Sequence, residues 1–198
     1  MALGLPQAGQ GKPFVKYDAR AGRFSISDGK EQIDITQQFA AIFDMENIEV
    51  GWARFLANAA PDFVMARVGA AFPSRPSDTH KSAFRLRVKM AASIGGDVRE
   101  FASAAGCVNQ ALDALHDAYI AAPESKRGLL PVVTLAGTTA VKTNTPQGTT
   151  TNYKPNFQIV KWVPRPADLE VEADAEPPPP PVRAQPRTPE PVGVDTEF

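Results

Sequence analysis

Phe84-Arg85-Leu86-Arg87-Val88-Lys89-Met90 is the clearest structural signal in the chain. Apolar and cationic residues alternate along it. Because successive side chains of a β-strand point to opposite faces, the four apolar side chains fall on one face and the three cations on the other. The stretch therefore predicts a strand that covers a core with one face and presents positive charge on the other.

Further apolar runs, bounded by Asn, Asp, Pro or Gly, predict more short strands on both sides of this one. The predicted strands are Phe14–Tyr17, Arg23–Ser27, Gln32–Thr36, Phe39–Met45, Ile48–Phe55, Asp62–Val68, Val132–Val141 and Phe157–Val163. Asp28-Gly29 is a hairpin signal, Ser93–Asp97 is a predicted turn, and Phe72–Lys81 and Thr143–Thr151 are loops by composition.

One stretch has a helical period. Within Ala104–Ala122, Val108, Leu112, Leu115 and Tyr119 recur at i, i+4, i+7 and i+11, which makes one packing stripe, and Pro123 ends it. Many short strands with one principal helix predict a mainly β, α+β body. Its expected form is an OB-like β-barrel or a curved antiparallel sheet.

The C-terminal stretch 164–198 has the opposite charge to the rest of the chain. It holds ten of the 19 prolines and eight acidic side chains against three basic ones, for a formal charge of −5, whereas 1–163 has 18 basic and 14 acidic side chains, for +4. Proline-rich acidic sequence cannot collapse into a core. The expected organisation is a flexible arm at 1–12, a β-rich nucleic-acid-binding domain at 13–163 and a disordered acidic tail at 164–198.

Composition argues against several functional classes. One cysteine and two histidines leave no paired-cysteine zinc site, and there is no phosphate-binding glycine loop or nucleophile motif. The chain shows no secretory signal and no apolar run of bilayer length. We therefore expect a cytoplasmic protein that is not an enzyme and needs no metal, cofactor or membrane.

Cations supply the first candidate binding set. Alternate residues on one strand face lie about 6–7 Å apart, which suits a sugar-phosphate backbone. The expected phosphate contacts are Arg85, Arg87 and Lys89 on the strand and Arg75 and Lys81 in or beside the preceding loop. An ordinary solvated strand face explains the three strand cations equally well.

Aromatic residues next to cations supply the second set, because unpaired bases stack on flat rings. The expected pairs are Trp52 with Arg54, Tyr17 with Lys16, and Tyr153 with Lys154. For each ring, burial in the core is the alternative. A third set lies at the tip of the tail, where Asp195, Glu197 and Phe198 offer carboxylates and a phenyl ring to a partner pocket. A merely solubilising tail is the alternative there.

These features resemble phage single-stranded-DNA-binding proteins, which join an OB-fold body to an acidic tail with a terminal aromatic. The segments Lys16–Arg23, Asn47–Trp52 and Asn152–Trp162 also resemble a family of tailed-phage proteins. The resemblance implies coating of single-stranded DNA in phage replication, recombination or repair. It also implies that the tail moderates DNA binding and contacts phage or host replication proteins.

The expected function is therefore sequence-independent binding of single-stranded DNA in the host cytoplasm. One alternative is a structural or assembly protein of a phage particle, and another is an accessory protein that binds a replication enzyme through its tail. Self-association into a homo-oligomer stays open on the sequence alone.

Overall fold

The computed structural model describes residues 13–27, 31–56, 60–145 and 148–170. Within them the protein is mainly β with one α-helix, as predicted. The elements in chain order are β1 Phe14–Asp18, β2 Arg23–Ser27, β3 Gln32–Asp34, β4 Ala40–Phe43, β5 Glu49–Arg54, β6 Asp62–Arg67, β7 Lys81–Met90, β8 Val98–Ser103, α1 Gly106–Ala121, β9 Leu129–Thr145 and β10 Gly148–Pro164. The predicted N-terminal arm at 1–12, the Asp28-Gly29 turn and most of the predicted tail lie outside the described residues.

The strands form one curved, open sheet in the order β10-β9-β4-β7-β8-β1-β2-β3, and β5 and β6 branch from β7. The shape agrees with the predicted curved sheet and is consistent with an OB-like body. One strand pair departs from the antiparallel arrangement, because β1 runs parallel to β8. A long connection through β2 to β7 separates these two strands, which permits the parallel arrangement.

Strand β7 organises the sheet. Its residues alternate as predicted, with Phe84, Leu86, Val88 and Met90 buried and the three intervening cations partly exposed. Strand β8 pairs along one side of it, while β5 and then β4 pair along the other. Each strand must place its apolar side chains on the face that β7 buries, so the alternation in one strand fixes the inner and outer faces of its neighbours.

An aromatic cluster fills the inside of the curve. Phe24, Phe43 and Phe101 are fully buried, and Phe157 of β10 packs against all three rings. Helix α1 covers this cluster with Val108, Ala111, Leu112, Leu115 and Tyr119, which confirms the predicted stripe. Burial of large aromatic and aliphatic side chains is the main favourable contribution to folding.

Strands β9 and β10 form a hairpin that is much longer than predicted. Each strand has 17 residues, or about 55 Å at about 3.3 Å per residue, but β4 pairs with β9 only at Val132–Thr134. Most of the hairpin is therefore a two-stranded ribbon. The prediction of a loop at Thr143–Thr151 is wrong for residues 143–145 and 148–151, which pair across the ribbon, where β-branched side chains fit well.

Two other boundaries differ from the sequence prediction. Strand β8 was not predicted, because Val98–Ser103 mixes charged and apolar residues and lacks clear alternation; pairing with β7 makes it a strand. The predicted tail boundary at 164 also falls inside the packed part of the chain. Residues Arg165–Glu170, here named the strap, turn back onto the outer face of the sheet, and Leu169 is fully buried.

Candidate nucleic-acid interface

The three predicted cations of β7 lie on one face of one strand. Arg85, at the β5 side, donates a hydrogen bond from Nε to Glu49 at 2.6 Å, and its guanidinium lies 5.1 Å from the centre of the Phe63 ring. Burial lowers the pKa of Arg85, but the hydrogen bond and charge of Glu49 outweigh it and the pKa is raised. Glu49 therefore already compensates the charge of Arg85.

The other two cations hold the strap. Arg87 donates to the backbone oxygens of Asp168 at 2.6 Å and Glu170 at 3.2 Å, while the Lys89 ammonium pairs with the Asp168 carboxylate. The Lys89 hydrogen bond is the main reason why the pKa of Asp168 lies below its usual value. Both cations are thus occupied by acceptor oxygens of the chain's own acidic segment.

The strap is anchored at both of its ends. Arg165 donates to Asp44 and Glu46 at 2.8 Å each and also to the backbone oxygen of Leu169 at 3.0 Å. The Asp44 carboxylate is fully buried, and its hydrogen bond is the largest contribution to the raised pKa of Arg165. Arg165 and Leu169 therefore hold the strap by buried contacts, whereas Asp168 meets β7 at the surface.

The loop before β7 is built around Trp52. Its indole N–H donates to the Pro73 oxygen at 2.8 Å, the Phe72 ring packs edge-on against it, and the Arg75 guanidinium lies 5.3 Å from its centre. Arg75 also donates to the backbone oxygens of Asp78 and His80. The structure thus places Trp52 and Arg75 together, but as parts of a folded loop rather than as an open stacking platform.

His80 closes the same loop. It is buried, with Nδ1 2.8 Å from the Ser77 hydroxyl and Nε2 3.1 Å from the Asp62 carboxylate. Asp62 also receives the Arg54 guanidinium at 3.2 Å. Ser77, His80 and Asp62 therefore form a continuous chain of hydrogen bonds. Ser77 and His80 lie in one turn, in which the His80 backbone N–H donates to the Ser77 backbone oxygen. Arg54, predicted to act beside Trp52, is engaged in this closure.

The prediction that Tyr17 stacks on bases is wrong. Its side chain is 6% exposed, it packs on Phe24, and its hydroxyl donates to the Tyr153 backbone oxygen at 2.8 Å. Burial raises the pKa of the Tyr17 phenol. Strand parity explains the error, because β1 alternates Val15 and Tyr17 inward with Lys16 outward. The aromatic–cation pairs at 16–17 and 153–154 are sequence neighbours, so each pair is divided between opposite faces of its strand.

Tyr153, the third predicted aromatic residue, is partly exposed. It sits where the β9–β10 hairpin leaves the body, and its backbone N–H donates to Ala19 at 2.6 Å. Cys107 lies beside it, with Sγ 3.9 Å from the Tyr153 oxygen, and burial raises the pKa of that thiol.

The remaining predicted cations, Lys16 and Lys81, are exposed, while Asp195, Glu197 and Phe198 lie outside the described residues.

The fold aligns one further cation, Lys161, with the β7 row, which sequence reasoning did not place there. The pairing registers place Lys89, Ile42, Val132 and Lys161 side by side on four adjacent strands, so Lys161 shares a face with Lys89. Lys142 lies farther out on the hairpin and is exposed. A sequence signal existed: no Asp or Glu occurs between Glu124 and Asp168, a stretch that carries six basic residues.

Within the described ranges, no group of three His, Cys, Asp or Glu side chains is arranged to hold a metal ion. The helices of that part of the chain include none with the length and apolar character needed to cross a membrane. Comparison of the chain with protein-family models, curated proteins and solved structures finds no match.

Proposed function

We propose that this protein binds single-stranded DNA without sequence preference, on the outer face of β7. The observation that carries the proposal is the pairing of Arg87 and Lys89 with the strap. The two cations share one face and hold backbone oxygens and a carboxylate of an acidic segment. Phosphodiester oxygens are acceptors of the same kind, and their hydrogen bonds to cations are charge-assisted.

Phosphate contacts dominate the proposed interaction. Tyr17 is buried, and half-buried Trp52 is held against its loop by Pro73 and Phe72, so few predicted rings remain for stacking. Binding that depends on phosphate contacts is tolerant of sequence and weakens steeply with salt, because each neutralised phosphate releases counterions.

The strap makes the proposed binding competitive. DNA must displace Asp168 and Glu170 to reach Arg87 and Lys89, while Arg165 and Leu169 keep the displaced segment attached nearby. The setting implied by the resemblance is phage DNA replication, recombination or repair. In that setting the tip residues Asp195, Glu197 and Phe198 are proposed to contact a replication protein.

Fluorescence anisotropy with labelled oligo(dT) of about 30 nucleotides tests the proposal over a series of salt concentrations. The variant Arg87→Gln/Lys89→Gln removes the two strap-bound cations. We expect wild-type binding at low salt, at least tenfold weaker binding by the variant, and a salt slope lower by about 1.4, since each phosphate contact to a single strand contributes about 0.7.

The matched control is Arg23→Gln/Lys126→Gln, which removes two exposed positive charges outside the β7 row. Its affinity should stay within about twofold of wild type, apart from the weak effect of net charge. No binding of oligo(dT) by the wild type at low salt would overturn the proposal. In that case, co-purification with phage particles would favour the assembly role.

A further inference from the structure

We infer that the β9–β10 hairpin is a second contact surface for the phosphodiester backbone of the same nucleic acid. The inference rests on the proposed function. It adds a separate surface, formed by Lys161 and Lys154, that extends the path of the strand beyond β7. The evidence is the charge of the hairpin, its alignment with the β7 row, its surface chemistry and its attachment to the body.

The lysines of the hairpin have no acidic partner among the described residues. Strands β9 and β10 contain three lysines and no acidic residue. None of these lysines forms an ion pair with any residue that the structure describes, whereas Arg85, Arg87 and Lys89 all have anionic or carbonyl partners. A protruding surface with positive charge and no acid attracts a polyanion, and it does so without displacing a bound segment.

The hairpin cations continue the β7 row. Lys89 and Lys161 are separated by three strand spacings, about 14 Å, with Ile42 and Val132 between them on the same face. Lys154 lies seven residues along β10 from Lys161, roughly 23 Å, and pairs with Thr139. A strand of nucleic acid that crosses the sheet at Lys89 can therefore follow Lys161 and Lys154 outward along the hairpin. Lys142 pairs with Thr151, three residues from Lys154, so it lies on the opposite face of the ribbon.

The outer half of the hairpin has the surface chemistry of a phosphate-contacting element. Besides the two lysines, it exposes side-chain hydroxyl and amide groups, namely those of Thr143, Asn144, Thr149, Thr150 and Thr151. Such groups and lysines make most contacts to phosphate and sugar. A protein partner would instead need a buried apolar centre for its interface. In this part of the hairpin, Val141 and Tyr153 are the larger apolar side chains, and both are already partly buried.

The hairpin is fixed where it leaves the body. The Tyr153 N–H donates to Ala19, and its carbonyl accepts the Tyr17 hydroxyl. Gly22 packs beside it, and a Cβ built there would lie 3.1 Å from the Tyr153 Cβ; its φ of +69° also favours glycine. Because the base is held, the direction of the hairpin relative to the outer face is defined.

Oligomer length separates the two surfaces. Labelled oligo(dT) of about 8 nucleotides is long enough to cover the β7 row, and one of about 30 nucleotides is long enough to reach the hairpin as well. Anisotropy titrations would compare the wild type, Lys154→Gln, the charge-retaining Lys154→Arg, and the control Arg23→Gln, which removes the same charge elsewhere on the surface. Circular dichroism and thermal unfolding would confirm that each variant is folded.

We expect Lys154→Gln to bind the short oligomer like the wild type. It should bind the long one about threefold more weakly, with a salt slope lower by about 0.7. The arginine variant should restore both values. Equal affinity and slope for the glutamine variant and the control on the long oligomer would overturn the hairpin inference and leave the β7 proposal intact. Absence of wild-type binding to either oligomer would overturn both.

Discussion

The cations of β7 and those of the β9–β10 hairpin differ in what surrounds them. Arg85, Arg87 and Lys89 are each matched by Glu49 or by the strap. Lys142, Lys154 and Lys161 lie on strands without acids and have no ion-pair partner among the described residues. The positive charge that is most regular in the sequence is thus the most compensated in the structure.

This difference indicates what binding would cost at each surface. At β7 a polyanion must compete with groups of the protein itself, so the net gain is an exchange of partners. At the hairpin it replaces water and counterions alone. The β7 row is therefore suited to regulated binding and the hairpin to first encounter, and three changes would break or sharpen the contrast.

The largest expected effect concerns the anchor of the strap. Arg165→Met leaves the fully buried Asp44 carboxylate without its cation, and loss of one partner of a buried pair costs about 3 kcal/mol or more. Urea unfolding should show this loss in the free energy of unfolding. Arg23→Met is the control, because its pair with Asp34 is largely exposed and exposed ion pairs contribute little to stability. Equal effects of the two changes would contradict an anchored strap.

A smaller effect is expected at the surface end of the strap. Asp168→Asn removes the carboxylate that Lys89 binds, so oligo(dT) should bind about fivefold more tightly at low salt, which corresponds to about 1 kcal/mol. The comparison is Asp117→Asn, the same charge change on the exposed face of α1. If both variants tighten binding equally, net charge rather than the strap is responsible.

The smallest effect is expected where the hairpin joins the body. Tyr17→Phe removes the hydrogen bond to Tyr153 and should lower the free energy of unfolding by about 1 kcal/mol at neutral pH. Burial raises the pKa of Tyr17 in the folded protein, so its stabilising contribution is complete below pH 10 and is lost as the pH rises through the folded pKa.

The phenylalanine variant should therefore lose less stability than the wild type between pH 10 and 11. Chemical unfolding at several pH values measures both quantities. An identical pH dependence of the two proteins would mean that the Tyr17 phenol is not protected by the fold.

The sequence predicted the parts of the fold that depend on local periodicity. The alternation in Phe84–Met90 and the stripe on α1 are both confirmed, because period-two and period-3.6 patterns identify a buried face before any partner is known. Strand β8 and the outer hairpin were missed. Their residues are polar or mixed, and they become strands through pairing with neighbours that are distant in the sequence.

The candidate site was predictable in its charges but not in their partners. Parity placed Arg85, Arg87 and Lys89 together, yet nothing local indicated that Asp168, 79 residues after Lys89, lies against it. The aromatic candidates show the same limit. Tyr17 and Trp52 stand close to cations in the sequence, but packing of Tyr17 against Phe24 and of Trp52 against Phe72 decides how much of each ring is exposed.

By itself, the sequence determined that this protein has a mainly β body, one packing helix, a cationic strand face and an acid-free stretch between Glu124 and Asp168. Those properties follow from side-chain chemistry and short-range spacing. Only the tertiary structure decided which cations are compensated, that Lys89 and Lys161 share one row, and that the acidic strap crosses β7. Such contacts depend on strand order and register, which bring together residues far apart in the chain.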